Sequence, residues 1–427
     1  MKNTIRIVLI LCLYSFFCVG RVSSQALPSA KPEEIGVSTA KLEELNKMIQ
    51  DHIDRGELAG VVTLIARHGR VAQLKALGFM DIEAKKPARA DALYRIASMT
   101  KVLTSLTALT LYEEGRFQLD DAVSKYIPEF KNVRVMESNP AGAKPVNPLK
   151  TSPLAREITI RDLFRHTAGF VYAYGNTPLD ELYRQAGFLV WNKSVKEFVQ
   201  RLTTMPLAYQ PGTRWEYSYS FDVLGDLIEV LSGQPLNEVM KHRILTPLRM
   251  NDTDFFVPAD RLERLTNYYE YKDGKLQLAE AAAQSEFIRP PAGLSGGGGW
   301  GTGFGGVVTT ASDFSRCLQM ILNRGELDGV RILKAETIAL MLSNQIAGIT
   351  NRGFEVSGYG LGVGVKPAAN DPKSTESFSW AGGPYNTCFV VNLNRDIFCI
   401  FLTQTGPFGH LGIMDDFRSR AQACATE

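Results

Sequence analysis

One stretch decides the interpretation of the sequence, Tyr94-Arg95-Ile96-Ala97-Ser98-Met99-Thr100-Lys101, in which an apolar approach ends at a serine and a lysine follows three residues later. Residues 102–115 then repeat apolar side chains three and four positions apart and stop at Gly115, which predicts an amphipathic helix. Residues three apart share a helix face, so Lys101 is expected within reach of the Ser98 hydroxyl. Ser98 is therefore predicted to open a helix.

That placement makes Ser98 a candidate nucleophile and Lys101 its candidate base. A serine hydroxyl attacks only when a base takes its proton, and a lysine can do so if burial or nearby cations lower its pKa. The helix sequence is apolar enough to bury Lys101. The first backbone N–H groups of the helix are also free to stabilise a developing oxyanion.

The serine–lysine pair alone does not establish chemistry. A chain of this length contains about one or two S-x-x-K matches by chance. A second match, Ser38 to Lys41, precedes a polar-faced helix over residues 41–55, and there Ser38 is expected to be the helix N-cap. A helix N-cap is also the simplest structural explanation of Ser98. Further motifs elsewhere in the chain are therefore needed to decide between a cap and a nucleophile.

The overall composition is that of an ordinary globular protein. Hydrophobic residues make up 45% of the 427 residues, charged residues 22%, and the formal net charge is +2. No acidic or basic run indicates a nucleic-acid partner. The five histidines show no metal-ligand spacing, so neither a metal nor another cofactor is expected. Four cysteines outside the N-terminal segment are expected to be buried thiols, although export would permit a disulfide: Cys317, Cys388, Cys399 and Cys424.

The first 24 residues are predicted to be a signal peptide. Lys2 and Arg6 precede an apolar run over residues 7–20, and small residues at 22–24 offer a cleavage site. An uncleaved anchor is less favoured because the run is short for a bilayer, and a lipid anchor on Cys18 is disfavoured by the bulky residue before it. The sequence predicts an exported protein, periplasmic or secreted, without stable membrane insertion after cleavage.

Strands are predicted at both ends of the chain and helices between them. Residues 60–78 form a predicted hairpin with its turn at His68 and Gly69, and a final helix is expected over 411–423. In the last third the predicted strands cover residues 358–365, 377–380, 388–392 and 397–404. We therefore expect an α/β (α+β) fold, with one antiparallel sheet built from both termini, flanked by helices, and a helical insertion. The sheet subdomain would cover about 25–97 and 305–427, and the helical subdomain about 98–304.

Three other motifs in the sequence are not expected to be catalytic. His166, in His166-Thr167-Ala168-Gly169, is assigned a structural role rather than a catalytic one, because serine–lysine chemistry carries its own base. Within the glycine-rich residues 292–306, a G-x-S-x-G at 293–297 and a G-x-G-x-x-G at 301–306 lack the flanking strand and helix that these motifs require. The stretch is instead predicted to be a flexible loop over a site, and a loop is also expected at 139–148.

Taken in order, the motifs resemble those of the serine beta-lactamase-like hydrolases, which include class C beta-lactamases, DD-carboxypeptidases, D-aminopeptidases and a branch of carboxylesterases. The resemblance covers nearly the whole mature chain and implies a beta-lactamase/transpeptidase-like fold. The matching segments are Tyr94-Arg95-Ile96-Ala97-Ser98-Met99-Thr100-Lys101, His166-Thr167-Ala168-Gly169, Pro211-Gly212-Thr213 with Tyr217-Ser218, Gly358-Tyr359-Gly360-Leu361-Gly362, and Trp380-Ala381-Gly382.

The resemblance also implies a role for each residue. Ser98 would be acylated and then freed by water, with Lys101 as its base. Tyr217 would relay the proton to the leaving group, helped by a lysine ammonium that stabilises its phenolate. Trp380 and Gly382 would line the substrate site as parts of the third motif. The N–H of Gly383 would complete the oxyanion hole with that of Ser98.

Two departures from the family pattern bear on the substrate. The second motif is usually Y-x-N, but Tyr219 stands where the asparagine would orient an acyl substrate; it is either a pocket wall or the mark of a damaged site. A literal Y-x-N at Tyr174 lacks the expected flanking sequence and is attributed to chance. Trp380 replaces the cation that would bind a beta-lactam or peptide carboxylate. Both changes favour a less selective ester or amide substrate.

Two classes of function follow. The first is an exported serine hydrolase of carboxylesterase type acting on small esters or amides, with beta-lactamase, D-amino-acid peptidase or DD-carboxypeptidase activity as the alternative within that class. The second is a non-catalytic protein on the same fold that binds cell-wall components or small molecules. The intact Ser98 and Lys101 favour the enzyme.

Overall fold

The computed structural model describes residues 26–137, 150–172, 174–188, 194–280, 306–351 and 356–426. Three predicted features therefore lie outside the described residues: the signal peptide, the loop at 139–148, and the glycine-rich stretch up to residue 305. Across the described ranges, no helix is both long and apolar enough to cross a membrane.

A seven-stranded antiparallel sheet forms the centre of the fold, in the order β4-β5-β6-β7-β1-β2-β3. Its strands are β1 (Gly60–Arg67), β2 (Arg70–Asp81), β3 (Lys86–Pro87), β4 (Gly364–Ala368), β5 (Asp371–Gly382), β6 (Thr387–Asn392) and β7 (Ile397–Thr403). Strand β1 pairs with β7 from Val61 opposite Thr403 to Arg67 opposite Ile397. The prediction of one antiparallel sheet built from both ends of the chain is confirmed.

Helices cover both faces of the sheet and fill the middle of the chain. They are α1 (Thr39–Asp54), α2 (Thr100–Glu113), α3 (Ile160–Phe164), α4 (Pro178–Gln185), α5 (Val195–Leu202), α6 (Ser220–Ser232), α7 (Leu236–Met240), α8 (Ala311–Leu322), α9 (Ala335–Leu342) and α10 (Ile413–Ala423). Ser38 caps α1, its hydroxyl accepting from the Lys41 N–H at 3.3 Å, as predicted.

Shorter elements connect these parts. Paired strands join Tyr94–Arg95 to Val308–Thr309, Arg134–Met136 to Thr151–Pro153, Arg214–Trp215 to Thr350–Asn351, Glu326–Leu327 to Val330–Arg331, and Tyr269–Lys272 to both Lys275–Leu278 and Thr405–Gly406. Tight 3-10 turns occur at Pro32–Ile35, Ala97–Met99, Val123–Lys125, Pro128–Asn132, Ala259–Arg264, Gly383–Tyr385 and His410–Gly412, and a π-helical turn at Lys241–Leu245.

The alternation of side chains along β1 explains how both faces of the sheet are buried. Val61 and Ile65 belong to the apolar cluster shared with α1 and α10, whereas Val62 and Leu64 belong to the larger cluster that contains residues of α2 and α8. A strand covered on both faces is apolar nearly throughout. The hairpin that begins with β1 turns at His68 and Gly69, both with positive φ, as predicted.

Helix α2 is buried more completely than an amphipathic helix would be. Every residue from Thr100 to Leu111 is buried. The threonines that gave the sequence a polar face satisfy their hydroxyls within the helix: Thr107 donates to the Leu103 carbonyl at 2.8 Å, and Thr110 to that of Thr107 at 2.7 Å. The amphipathic interpretation was therefore wrong, and α2 runs through the core beneath the site.

The last third of the chain departs from one prediction and agrees with another. The strand predicted over 358–365 begins only at Gly364, because Gly360 donates to the Val363 carbonyl in a turn and Gly362 has a φ of +92°. The four cysteines predicted to be buried thiols are all buried and free.

Candidate active site

The chain makes a sharp turn at the candidate nucleophile. Tyr94–Arg95 forms a short strand, and Ala97 then takes a φ of +41°, a strained value for a residue with a side chain. Ser98 lies in the 3-10 turn Ala97–Met99, and α2 begins only at Thr100. Ser98 thus stands just before the helix rather than within it. Its hydroxyl contacts Lys101 and does not cap α2.

Lys101 lies against Ser98 in a fully buried position. Its Nζ donates to Ser98 Oγ at 3.2 Å, and the side chain is fully buried. The ring of Tyr217 is 4.6 Å from Nζ, with the rings of Tyr172 and Phe221 at 5.8 Å. Burial lowers the pKa of Lys101 to about 7, although the Asp222 carboxylate acts in the opposite direction. An amine with that pKa is half deprotonated near neutral pH and can accept a proton.

Tyr217 lies beside the same pair, just before α6. The Tyr217 hydroxyl forms a hydrogen bond with the Ser98 side chain and accepts another from Trp380 Nε1 at 3.4 Å. Burial raises the pKa of Tyr217 above its ordinary value, while the bonds from Ser98 and Trp380 lower it only in part. The expected stabilisation of a phenolate is therefore not found. Tyr217 is a phenol that can donate a proton, and Lys101 is the group that can accept one.

His166 is a buried support for this arrangement. It has a φ of +56°, its Nδ1 accepts from the Ser218 N–H at 3.3 Å, and its carbonyl accepts from the Glu216 N–H at 3.0 Å. Burial, followed by the charge of Lys101, holds the pKa of His166 well below its ordinary value, so the ring is neutral. These contacts fix the segment that carries Tyr217, which agrees with the structural role predicted for His166.

The third motif ends strand β5 next to Ser98. Strand β4 pairs with β5 only as far as Ser379, so Trp380 and Gly382 extend beyond its end. A Cβ on Gly382 would lie 2.4 Å from the carbonyl oxygen of Ile96, so only glycine permits this close approach. Gly383 begins the next turn, and both Ser98 and Gly383 line one cavity.

That cavity has a volume of about 760 Å³. Its walls include Tyr217 and Trp380, and also Tyr174 and Phe408, each 54% exposed. Tyr219 lies elsewhere: it is 1% exposed and packs against the ring of Tyr172 at 4.4 Å, behind the described wall of the cavity. Of the residues singled out in the sequence, Ser98, Lys101, Tyr217, Trp380, Gly382 and Gly383 are thus brought together, and Tyr219 belongs to the layer behind them.

Sequence reasoning missed several residues of the site. The carboxylate of Asp222 raises the pKa of Lys101 by its charge. Asp222 lies in the first turn of α6, where acidic residues are common, so the sequence alone does not single it out. Tyr174 belongs to the Y-x-N match attributed to chance, yet it lines the cavity. Phe408 follows a short strand and precedes a helix, and its sequence context carries no signal of a site.

Comparison with known proteins places the chain in a family. A family model described as Beta-lactamase matches residues 45–423. Protein Rv1367c of Mycobacterium tuberculosis is 32% identical over 84% of this chain and 89% of its own length. Esterase EstB of Burkholderia gladioli is 29% identical over 90% and 96% respectively. The solved structure of EstCE1, described as a hydrolase with promiscuous acyltransferase activity, covers 91% of this chain and 99% of its own at a TM-score of 0.73 and 24% identity, which supports the fold. The chain belongs to the Beta-lactamase family.

Proposed function

We propose that this member of the family is a serine hydrolase that forms an acyl-enzyme on Ser98, with carboxylesterase activity on small esters or amides. The contact between Ser98 Oγ and Lys101 Nζ, at 3.2 Å, carries the proposal, because it pairs a hydroxyl with an amine whose pKa burial lowers to about 7. A base with a pKa near neutral, in contact with the hydroxyl that it would deprotonate, is what acyl-enzyme chemistry at Ser98 requires.

The reaction follows from the positions of three groups. Deprotonated Lys101 takes the Ser98 proton as Oγ bonds to the substrate carbonyl carbon. The carbonyl oxygen becomes negative and is held by the N–H groups of Ser98 and Gly383. The bond to the leaving alcohol or amine then breaks. Tyr217 gives its proton to the leaving group and recovers one from the Lys101 ammonium. Water hydrolyses the acyl-enzyme by the same sequence of transfers.

Two features favour an ester over a beta-lactam or a D-amino-acid peptide. Trp380 occupies the position of the carboxylate-binding cation, and its indole N–H is directed to the Tyr217 hydroxyl at 3.4 Å. Tyr219 is buried behind Tyr172 rather than available to orient an acyl amide. The name of the relative EstB, an esterase, supports the same choice.

The test is turnover of p-nitrophenyl acetate and of a chromogenic cephalosporin by the protein lacking residues 1–24. Ser98→Ala is the inactive variant, and Ser124→Ala, a partly exposed serine distant in sequence, is the matched control. We expect ester turnover that Ser98→Ala abolishes and Ser124→Ala retains, with the cephalosporin untouched. Cleavage of the cephalosporin would establish the beta-lactamase alternative. No turnover of either compound, with no labelling of Ser98 by a fluorophosphonate probe, would refute the serine hydrolase and favour the non-catalytic binding protein.

We also propose that the protein is exported and that residues 1–24 are removed. The support is the order of basic, apolar and small residues in that segment. N-terminal sequencing of protein recovered from the extracellular or periplasmic fraction should begin near residue 25. Recovery of full-length chain from the cytoplasm would refute export without touching the proposed chemistry.

A further inference from the structure

We propose that the alcohol portion of the substrate is aromatic and packs on Tyr174, so that the enzyme selects esters of arylalkyl alcohols. This inference rests on the proposed function, because it concerns the group that Tyr217 protonates. It gives a role to Tyr174, whose Y-x-N motif has no part in the proposed proton transfers. The aryl pocket is the part of the cavity lined by Tyr174, Tyr217, Val356 and Trp380.

A continuous series of ring contacts joins Tyr174 to the proton donor. The rings of Tyr174 and Tyr172 stack at 5.5 Å with 25° between their planes, and the ring of Tyr172 contacts that of Tyr217 at 5.3 Å. Tyr217 in turn contacts Trp380 at 5.4 Å. Tyr172 is buried, whereas Tyr174 is exposed within the cavity. The cavity therefore has accessible aromatic surface on the side where Tyr217 lies.

The backbone next to Tyr174 is anchored to helix α4. Arg184 donates to the Gly175 carbonyl at 2.8 Å. A Cβ on Gly175 would lie 2.6 Å from Oδ2 of Asp180, whose carboxylate is fixed in the N-terminal capping box that it forms with Thr177. Glycine is therefore required for the chain to pass this close to the helix. A ring on an anchored segment loses little freedom when a ligand binds, so Tyr174 is preorganised for stacking.

The other walls of the aryl pocket are apolar. Trp380 directs its indole N–H to the Tyr217 hydroxyl at 3.4 Å, so the rest of its ring offers only carbon to the cavity. Val356 packs against the same apolar cluster as Tyr217 and Trp380. Burial raises the pKa of Tyr174 above its ordinary value, so its hydroxyl stays neutral. Aromatic and apolar walls of this kind are typical of sites for apolar ligands.

The charged residues that line the cavity lie on the other face of the sheet. Among the described lining residues they are Lys366 and Arg418, which pair with Glu376 at 3.0 Å and with Asp415 at 3.1 Å respectively. Lys366 follows Val365, which packs into the large cluster that contains α2, so alternation turns Lys366 away from that cluster. Arg418 belongs to α10, which covers the opposite face. We therefore expect an uncharged alcohol in the aryl pocket.

The aryl pocket receives the alcohol rather than the acyl group because of where the proton is delivered. In the proposed reaction Tyr217 protonates the leaving oxygen, so the carbon skeleton of the alcohol lies beside Tyr217. The carbonyl oxygen lies instead at the N–H groups of Ser98 and Gly383. An aromatic ring gains more from Tyr174 and Trp380 than a saturated ring of similar size, because aromatic pairs attract each other beyond the area that they bury. That gain corresponds to about two- to tenfold in affinity for each pair.

The experiment compares kcat/KM for 2-phenylethyl acetate and 2-cyclohexylethyl acetate, which share the acyl group and differ in the aromaticity of the alcohol. We expect the wild type to favour the phenyl compound about fivefold. Tyr174→Leu should reduce that ratio to below about twofold, whereas Tyr174→Phe should keep it because the ring remains. The matched control is Phe79→Leu, at an exposed aromatic residue that does not line the cavity, and it should also keep the wild-type ratio.

A second pair of esters tests the placement of the alcohol. Ethyl phenylacetate and ethyl cyclohexylacetate carry the ring on the acyl side, and their ratio should be the same in the wild type and in Tyr174→Leu. An effect of Tyr174→Leu confined to this pair would overturn the assignment. Equal hydrolysis of the two acetates by the wild type, or an unchanged ratio in Tyr174→Leu, would overturn the inference while leaving the esterase proposal intact.

If no ester is hydrolysed, the proposed function fails, and the aryl pocket is tested by calorimetric titration of 2-phenylethanol into the wild type and the two Tyr174 variants. Saturable binding to the wild type and to Tyr174→Phe, weakened about fivefold in Tyr174→Leu, would still support the pocket. Absence of binding to the wild type, or equal affinity in Tyr174→Leu, would refute it.

Discussion

The pH dependence of ester hydrolysis tests the central claim that Lys101 is the base. An exposed lysine has a pKa near 10.5, and burial among Tyr217, Tyr172 and Phe221 lowers that of Lys101 to about 7. The difference corresponds to about 5 kcal/mol against the ammonium form. The barrier to deprotonating Ser98 is lowered because the resting amine is already available at neutral pH.

The expected profile follows from that value. With a pKa of about 7, the deprotonated fraction of Lys101 rises about tenfold between pH 6 and pH 8 and is nearly complete above. An unshifted lysine would instead give about a hundredfold rise over the same interval, continuing tenfold per unit to about pH 10. The pKa of His166 is held well below its ordinary value, so it contributes no limb in this range.

The assay is kcat/KM for a short-chain p-nitrophenyl ester, corrected for spontaneous hydrolysis, from about pH 5 to pH 9.5. His166→Gln is the control for the alternative that His166 is the base. This variant is expected to lose activity because His166 supports the segment that carries Tyr217, but the shape of its pH profile should stay that of the wild type. The reasoning is refuted if the acid limb lies above about pH 9, or if the limb near pH 7 disappears in His166→Gln while activity persists.

Three further predictions concern proton transfer, pH-dependent stability and the core. Tyr217→Phe should lower kcat about a hundredfold or more with an unchanged circular dichroism spectrum, because the leaving group loses its proton donor; retention of full kcat would exclude that role. Burial, followed by repulsion from Glu229, raises the pKa of Asp226 from 3.8 to about 7. The folded state therefore binds this proton more tightly than the unfolded state does. The resulting contribution to stability is fully present below about pH 4 and is lost as the pH rises through 7. Asp226→Asn should therefore raise the free energy of unfolding at pH 8 by up to about 4 kcal/mol and change it little at pH 4, measured by urea titration at both values; a loss of stability at pH 8 would contradict the assignment. Leu64→Ala, in a strand buried on both faces, should cost about 3 kcal/mol in the same titration, and a cost below about 1 kcal/mol would contradict the packing described for β1.

Features set by local pattern were predictable from the sequence. Two short runs of strand-forming residues separated by a two-residue turn predict the hairpin at His68 and Gly69. The proximity of Ser98 and Lys101 follows from their spacing of three residues. The polar face assigned to α2 was wrong for a physical reason. Threonine hydroxyls such as that of Thr107 bond the helix's own carbonyls, so residues that look exposed in a pattern can be buried without cost.

Features set by long-range packing were not predictable. The pKa of Lys101 depends on aromatic rings contributed by segments more than seventy residues further along the chain. The same packing reverses the expectation for Tyr217, whose burial opposes the phenolate that a neighbouring ammonium would favour. Phe408 lines the cavity between Pro407 and Gly409, whose backbone groups bond the side chain of Asn386, a residue of a different turn. No single-residue pattern encodes such a pairing.

The pairing of β1 with β7 has a consequence for how this enzyme is made. Val61 and Thr403 are neighbours in the sheet but more than three hundred residues apart in the chain, so ribosomal synthesis leaves the edge of β1 open until β7 emerges. Contacts this distant in sequence also form slowly. The short strand before Ser98 must likewise wait for its partner at Val308. A nascent chain thus carries Ser98 and Lys101 side by side before the lysine is buried, and the lowered pKa on which the proposed chemistry rests arises only when the whole chain has folded.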